Sequence, residues 1–178
     1  KVLAVSGQKQ TRVFATPGNE VRYFPTLGSG GGRVAFTPDG KLLAVGGEDY
    51  RIRLWDWERG KEVRKFQKLP DRIRSLDFSP DGKAIAAVSD EMIHVLDAVT
   101  GEPALALPGH NGRLNSVAVS SDGRVIATAA WDGTVRLWDA ATGKETRRFD
   151  VDRASKIEII DPGRVSRVVL SPDGRLVA

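Results

Sequence analysis

Apolar residues in this chain fall in short bursts of four to seven, and no helical period runs through any long window. The stretch 114–149 shows the pattern most clearly. LNSVAVS, RVIATA, TVRLWD and ETRRF are rich in β-branched or apolar residues, and the turn signals SDG, WDG and ATGK separate them. Four short strands joined by tight turns are predicted. LLAV at 42–45 and AIAAV at 84–88 are almost continuously apolar, which suits strands in sheets covered on both faces. In SPDG at 79–82, Pro80 presets φ for the second turn position, Asp81 tolerates the third, and Gly82 accepts positive φ at the exit.

The turn recurs. TPDG stands at 37–40, SPDG at 79–82, SSDG at 120–123 and SPDG at 171–174, in steps of 42, 41 and 51 residues. A second phrase keeps phase with it: LWD at 54–56, VLD at 95–97 and LWD at 137–139, in steps of 41 and 42. A repeat of about forty residues is a supersecondary unit that cannot bury both of its faces alone, so such units stack. The units read as a partial one at 1–24, complete ones at 33–66, 73–107 and 114–149, an insertion at 150–164, and a closing partial one at 165–178.

SPDG, the Gly109–His110 pair, WDGTVRLWD and ATGK together resemble the WD-repeat β-propeller family, and the resemblance covers essentially the whole chain. It implies an all-β propeller of four-stranded antiparallel blades, here a partial ring. It also implies a polar network within a blade, onto which His110, Thr128, Asp132 and Trp138 map. The other units depart from that pattern. The second keeps Asp49 and Trp55 but has Val45 at the Thr128 position and no GH pair. The third has Leu96 in place of Trp and is one residue shorter before Asp97. Packing is expected to hold those blades.

Rings in this family commonly hold more blades than the four or so units here. The chain is therefore expected to be a piece of a larger ring, to pair with a second copy, or to close on itself. Residues 150–164, DVDRASKIEIIDPGR, lengthen the last step by about ten residues, as either a binding loop or a tolerated insertion.

Composition narrows the chemistry. Charged residues are 28% and hydrophobic ones 40% of 178 residues, which is a globular balance. There is no cysteine, so thiol nucleophiles, disulfides and cysteine-held zinc are excluded, and a reducing compartment such as the cytoplasm is the expectation. No apolar run is long enough to span a membrane as a helix. Residues 1–33 hold five basic groups and one acid, while the other 22 basic and 22 acidic groups cancel. The net charge of +4 is thus a property of the first unit, and nucleic acid is disfavoured as a partner.

Candidate reactive groups read as structural. His110 with Ser116 and Asp132 could be drawn as a triad, but nothing points to an oxyanion site or a shaped pocket. No catalytic residue, metal ligand or cofactor is assigned. His94 occupies the repeat position of Arg53 and Arg136 and is expected to be partly exposed, as a place that tolerates charge. GSGGG at 28–32 lacks the Lys and Ser/Thr of a phosphate loop, and Phe24 to Phe36 spans twelve residues just as Phe66 to Phe78 does, so it reads as a connection between blades.

Rim loops remain as the binding elements, at 25–33, 46–51, 67–72, 89–91, 108–113 and 129–133. Tyr50, Arg51, Arg72, Arg113 and Trp131 are the candidate partner-binding residues, because Arg, Tyr and Trp combine contact area with polar reach. The function expected is a protein-protein interaction scaffold. The alternatives are a regulatory or sensor segment of a larger bacterial signalling protein, a propeller enzyme, or a nucleic-acid binder.

Overall fold

The computed structural model describes residues 2–7, 10–15, 21–25, 32–107, 110–151 and 167–171. Residues 172–174 of the last repeat phrase, Gly109, nearly all of GSGGG and the 150–164 insertion beyond Val151 lie outside the described residues. Two compact units divide the chain, Lys1–Ile73 and Arg74–Ala178.

The first unit holds seven strands. β1 (Val2–Ser6), β2 (Gln10–Ala15) and β3 (Val21–Pro25) make a three-stranded sheet, and β4 (Arg33–Phe36), β5 (Leu42–Gly46), β6 (Ile52–Asp56) and β7 (Lys61–Lys65) a four-stranded one. The second unit holds two four-stranded sheets. One comprises β8 (Ser75–Phe78), β9 (Ala84–Val88), β10 (Ile93–Asp97) and β11 (Pro103–Leu107), and the other β12 (Leu114–Val119), β13 (Val125–Ala130), β14 (Thr134–Asp139) and β15 (Glu145–Asp150). Every pairing is antiparallel between chain neighbours, so each sheet is the simple meander of a propeller blade.

The second strand of each complete blade is buried along almost its whole length, in β5, β9 and β13 alike. The fourth strands of the first and last complete blades are the opposite. All five residues of β7 (KEVRK) and all six of β15 (ETRRFD) are exposed. Their charges protect an edge whose free N–H and C=O groups would otherwise pair with another chain. Between third and fourth strands the register slips at the same repeat position each time, at Leu54/Trp55, Val95/Leu96 and Leu137/Trp138.

The core sits on the sheet faces. Val88, Ile93, Leu107, Leu114, Ile126 and Trp138 form a buried cluster in the second unit, and Val13, Phe24, Leu43 and Val45 one in the first. Each fully buried Leu, Ile or Phe adds about 1.5–3 kcal/mol.

The first-to-second-strand turns are built identically. In the first complete blade Gly40 N donates to the Thr37 carbonyl (2.8 Å), Thr37 Oγ1 donates to Asp39 Oδ1 (2.6 Å), and Lys41 N donates to the same oxygen (3.0 Å). The Ser79 and Ser120 hydroxyls repeat this on Asp81 and Asp122, each at 2.6 Å. Gly40, Gly82 and Gly123 take φ near +70°, as the turn chemistry requires. The hydroxyl at the first turn position organises the whole turn, a role that Pro and Gly alone do not reveal.

Candidate functional site

Thr128 lies on β13 at the centre of the best-connected polar cluster. Trp138 Nε1 on β14 donates to Thr128 Oγ1 at 2.8 Å, and His110 Nε2 stands 2.8 Å from the same hydroxyl. His110 Nδ1 faces Asp132 Oδ2 at 3.0 Å. One proton arrangement satisfies all of them: the indole donates to Thr128, Thr128 donates to Nε2, and Nδ1–H donates to the carboxylate. Burial pushes the His110 pKa below its ordinary value, against the pull of Asp132. The ring is therefore neutral, and the contact is a hydrogen bond more than an ion pair. Burial alone would raise the Asp132 pKa, but hydrogen bonds from Thr134, the Asn111 N–H and His110 outweigh it and hold the carboxyl low.

This cluster fixes the rim. Asn111 N donates to Asp132 Oδ2 at 3.0 Å, and Thr134 Oγ1 to Oδ1 at 2.6 Å. Gly112 packs so tightly on the 131–132 turn that a Cβ there would sit 2.5 Å from Asp132 N. The loop before β12 is thereby clamped to the turn after β13. Neither Asn111 nor Gly112 stood out in the sequence; only their neighbour His110 did.

Of the other reactive candidates, Ser116 is buried and its Oγ donates to the Val168 carbonyl at 3.4 Å, not to His110. His94 Nε2 lies 3.2 Å from Ser89 Oγ, and the residue is half-buried. Arg53 and Arg136 correct the expectation that this repeat position merely tolerates a solvated charge. They are 7% and 5% exposed. Arg53 donates to Asp49 through Nη1 (3.2 Å) and Nη2 (2.6 Å) and lies 3.4 Å from Glu62. Arg136 donates to Glu145 at 2.9 Å and to Asp132 at 3.5 Å. A guanidinium can be buried here because the turn acid and a fourth-strand glutamate neutralise it together. The second complete blade has Pro103 where Glu62 and Glu145 stand in the others, and there the arginine is replaced by His94. The coupled change was a readable signal.

The rim candidates divide between the two units. In the second, the Arg113 guanidinium lies over the Trp131 ring, 4.4 Å from its centroid, and its Nε is 3.4 Å from Asp90 Oδ1. Arg74 Nε reaches the same oxygen at 2.5 Å. Trp131 is 39% exposed, so its ring presents a face to solvent from a braced position. In the first unit, Arg72 pairs with Glu48 at 3.5 Å and Arg51 Nη1 donates to the Phe66 carbonyl at 3.1 Å. Arg72 and Arg113 hold the same repeat position, and each ties back to an acid in the preceding blade's second turn. Lys68 Nζ sits 4.7 Å above the Tyr50 ring. Tyr50 has φ +68°, where Gly133 stands in the equivalent turn at +75°. A bulky side chain in that backbone region is strained.

The comparisons with known proteins agree with this architecture. The family described as "WD domain, G-beta repeat" matches residues 32–56, 60–97 and 101–139, more than half of the chain. The chain belongs to this family. Similar relatives include a "Cross-pathway control WD-repeat protein 2" of Flammulina velutipes, 49% identical over 49 residues, which are 28% of this chain and 16% of the relative. Another is a "Small ribosomal subunit protein RACK1" of Caenorhabditis elegans, 40% identical over 60 residues, 34% of this chain and 18% of the relative. A "MST50-interacting protein 11" of Pyricularia oryzae is 47% identical over 49 residues, 28% and 16%. The matched stretch is thus less than a fifth of each relative's length. Among the described residues of this WD-repeat chain, no helix is long and apolar enough to cross a membrane.

Proposed function

We propose that this WD-repeat chain is a protein-interaction scaffold, and that Trp131 with Arg113 is its principal contact on the rim. The stacked pair carries the reading: a half-exposed indole braced by a guanidinium, itself held by Asp90, offers area and donors with little ordering left to lose. Tyr50, Arg51 and Arg72 form a second rim contact in the first unit, with the strained Tyr50 backbone as its mark. The name of the Pyricularia relative records an interaction with another protein, which is consistent with this use of the fold. Fold alone assigns no activity. No catalytic part is given to His110, because both its ring nitrogens are engaged within the blade.

Selection of peptides from a displayed library against the immobilised chain tests the reading. Enriched sequences should bind Trp131→Ala at least tenfold more weakly, about 1.4 kcal/mol or more. Enriched binders indifferent to Trp131→Ala, Arg113→Ala and Tyr50→Ala would place the contact elsewhere.

A further inference from the structure

At the opposite end of the strands from the rim, a cavity of about 360 Å³ opens between the β8–β11 and β12–β15 sheets. Pro80, Ala86, Val119, Gly123, Ile126 and Ala140 supply much of its lining. That volume is at the small end of ligand pockets, roughly 300–1,000 Å³, and suits one bicyclic ring.

The protein itself contains a filled version of this place. Counting 83 residues back through the repeat, Val119 corresponds to Phe36, Ala140 to Trp57 and Gly123 to Gly40. In the first unit Phe36 and Trp57 meet edge to face, 6.3 Å between centroids, and both pack on the Val13, Phe24, Leu43, Val45 cluster. Trp57 Nε1 donates to the Gly40 carbonyl at 2.8 Å. In the second unit the phenyl ring has become a valine and the indole an alanine. The glycine turn is kept: Gly123 has φ +72° against +70° at Gly40. Among the described residues the Gly123 carbonyl accepts no hydrogen bond. The acceptor and the space remain, and the ring is gone.

We infer that this cavity is a binding socket for an indole ring, whose N–H donates to the Gly123 carbonyl as Trp57 does to Gly40. The charged residues of the lining do not argue for an ionic ligand. Asp81 and Asp122 hold their own turns through Oδ1, and Lys83 offsets one of them. A neutral aromatic ring with one donor fits what is left.

Titration of the whole chain with 5-fluoroindole, followed by fluorine NMR, reads this directly. A saturable, one-site shift is expected. Ala140→Trp, which restores the missing ring, should weaken the apparent affinity by about tenfold or more. Val119→Phe fills the other side of the same space and should act alike, so a folding failure of either variant leaves the other. The absence of a saturable shift in the wild type would overturn the inference, as would an unchanged response in both filled variants. A short acetylated and amidated peptide carrying 5-fluorotryptophan separates the two sources of an indole. Tighter binding than 5-fluoroindole assigns the socket to a partner's tryptophan, and equal or weaker binding to a free ring. None of these readouts depends on Trp131, so the socket and the rim contact stand or fall separately.

Discussion

Two blades of this chain carry a tryptophan at the same place in the third strand and treat it differently. On β14, Trp138 donates to Thr128, which continues through His110 to Asp132. On β6, Trp55 packs on Phe24, with ring centroids 5.3 Å apart, but its buried Nε1 has no hydrogen-bond partner among the described residues. On the neighbouring strand the Thr128 position is taken by Val45, 3% exposed, two residues along from Leu43, which pairs with Trp55. What both blades share is the buried arginine between a turn aspartate and a fourth-strand glutamate. The repeat therefore has two separable polar devices. A blade can carry the ion cluster without the Thr–His–Asp chain, which adds a clamp on the rim loop.

The largest expected effect comes from breaking the connected blade. Thr128→Ala leaves the Trp138 N–H and the His110 Nε2 without partners in a buried setting. Each such group costs about 1–3 kcal/mol, so a loss of roughly 2–6 kcal/mol is expected in chemical denaturation. A loss below 1 kcal/mol would mean that water enters and substitutes for the hydroxyl.

The next runs the other way. Val45→Thr gives the orphaned Trp55 N–H an acceptor, and a gain of about 1 kcal/mol is expected. The indole proton resonance of Trp55 should move downfield as the bond forms. Unchanged stability with an unmoved resonance would show that the two blades differ in more than this hydroxyl.

That asymmetry also shows what the sequence could and could not tell. Strands, turns and the in-phase repeat were legible because they rest on local chemistry: SPDG dictates a turn, and AIAAV a strand covered on both faces. The substitution of Val45 for Thr128 was visible as a departure. Its consequence, an indole N–H buried without a partner, needed the packing of Phe24 against Trp55. The buried arginines were misjudged because a charged residue in a strand reads as exposed. Only the fourth strand, nine residues on, supplies the glutamate that pays for its burial. The cavity beneath Ala140 was illegible for a related reason: small residues look unremarkable until the counterpart Trp57 is seen filling the same space.

A smaller effect separates the two second-to-third-strand turns. Tyr50 and Gly133 occupy one left-handed position, which costs a side chain about 1–2 kcal/mol. Tyr50→Gly relieves that strain but loosens the unfolded chain, so a net gain of about 0.5 kcal/mol is expected. If the tyrosine is kept for contact, the same substitution should reduce partner binding while stability rises. A destabilised variant would instead make Tyr50 a packing residue held through Lys68.

The smallest effect is a pH dependence that only the connected blade should show. Burial holds the His110 pKa below 6.5, so in mildly acidic solution the unfolded chain takes up a proton that the folded one refuses. The stability from keeping His110 neutral is complete above that value. It is lost as pH falls from there through the folded pKa. Asp132, held below 3.8, adds a loss only in stronger acid. Asp77 acts with the opposite sign. Its carboxyl accepts the Val119 N–H at 2.9 Å, yet burial outweighs that bond and raises its pKa, so acidification alone would favour the folded state through it. The part of any fall in thermal midpoint between pH 7 and 5 that His110→Gln removes reports His110. His110→Gln should lower the midpoint throughout but flatten this slope, whereas Val45→Thr should leave the slope unchanged. A slope that survives His110→Gln would remove the neutral-histidine assignment and, with it, the direction of the proton chain from Trp138 to Asp132.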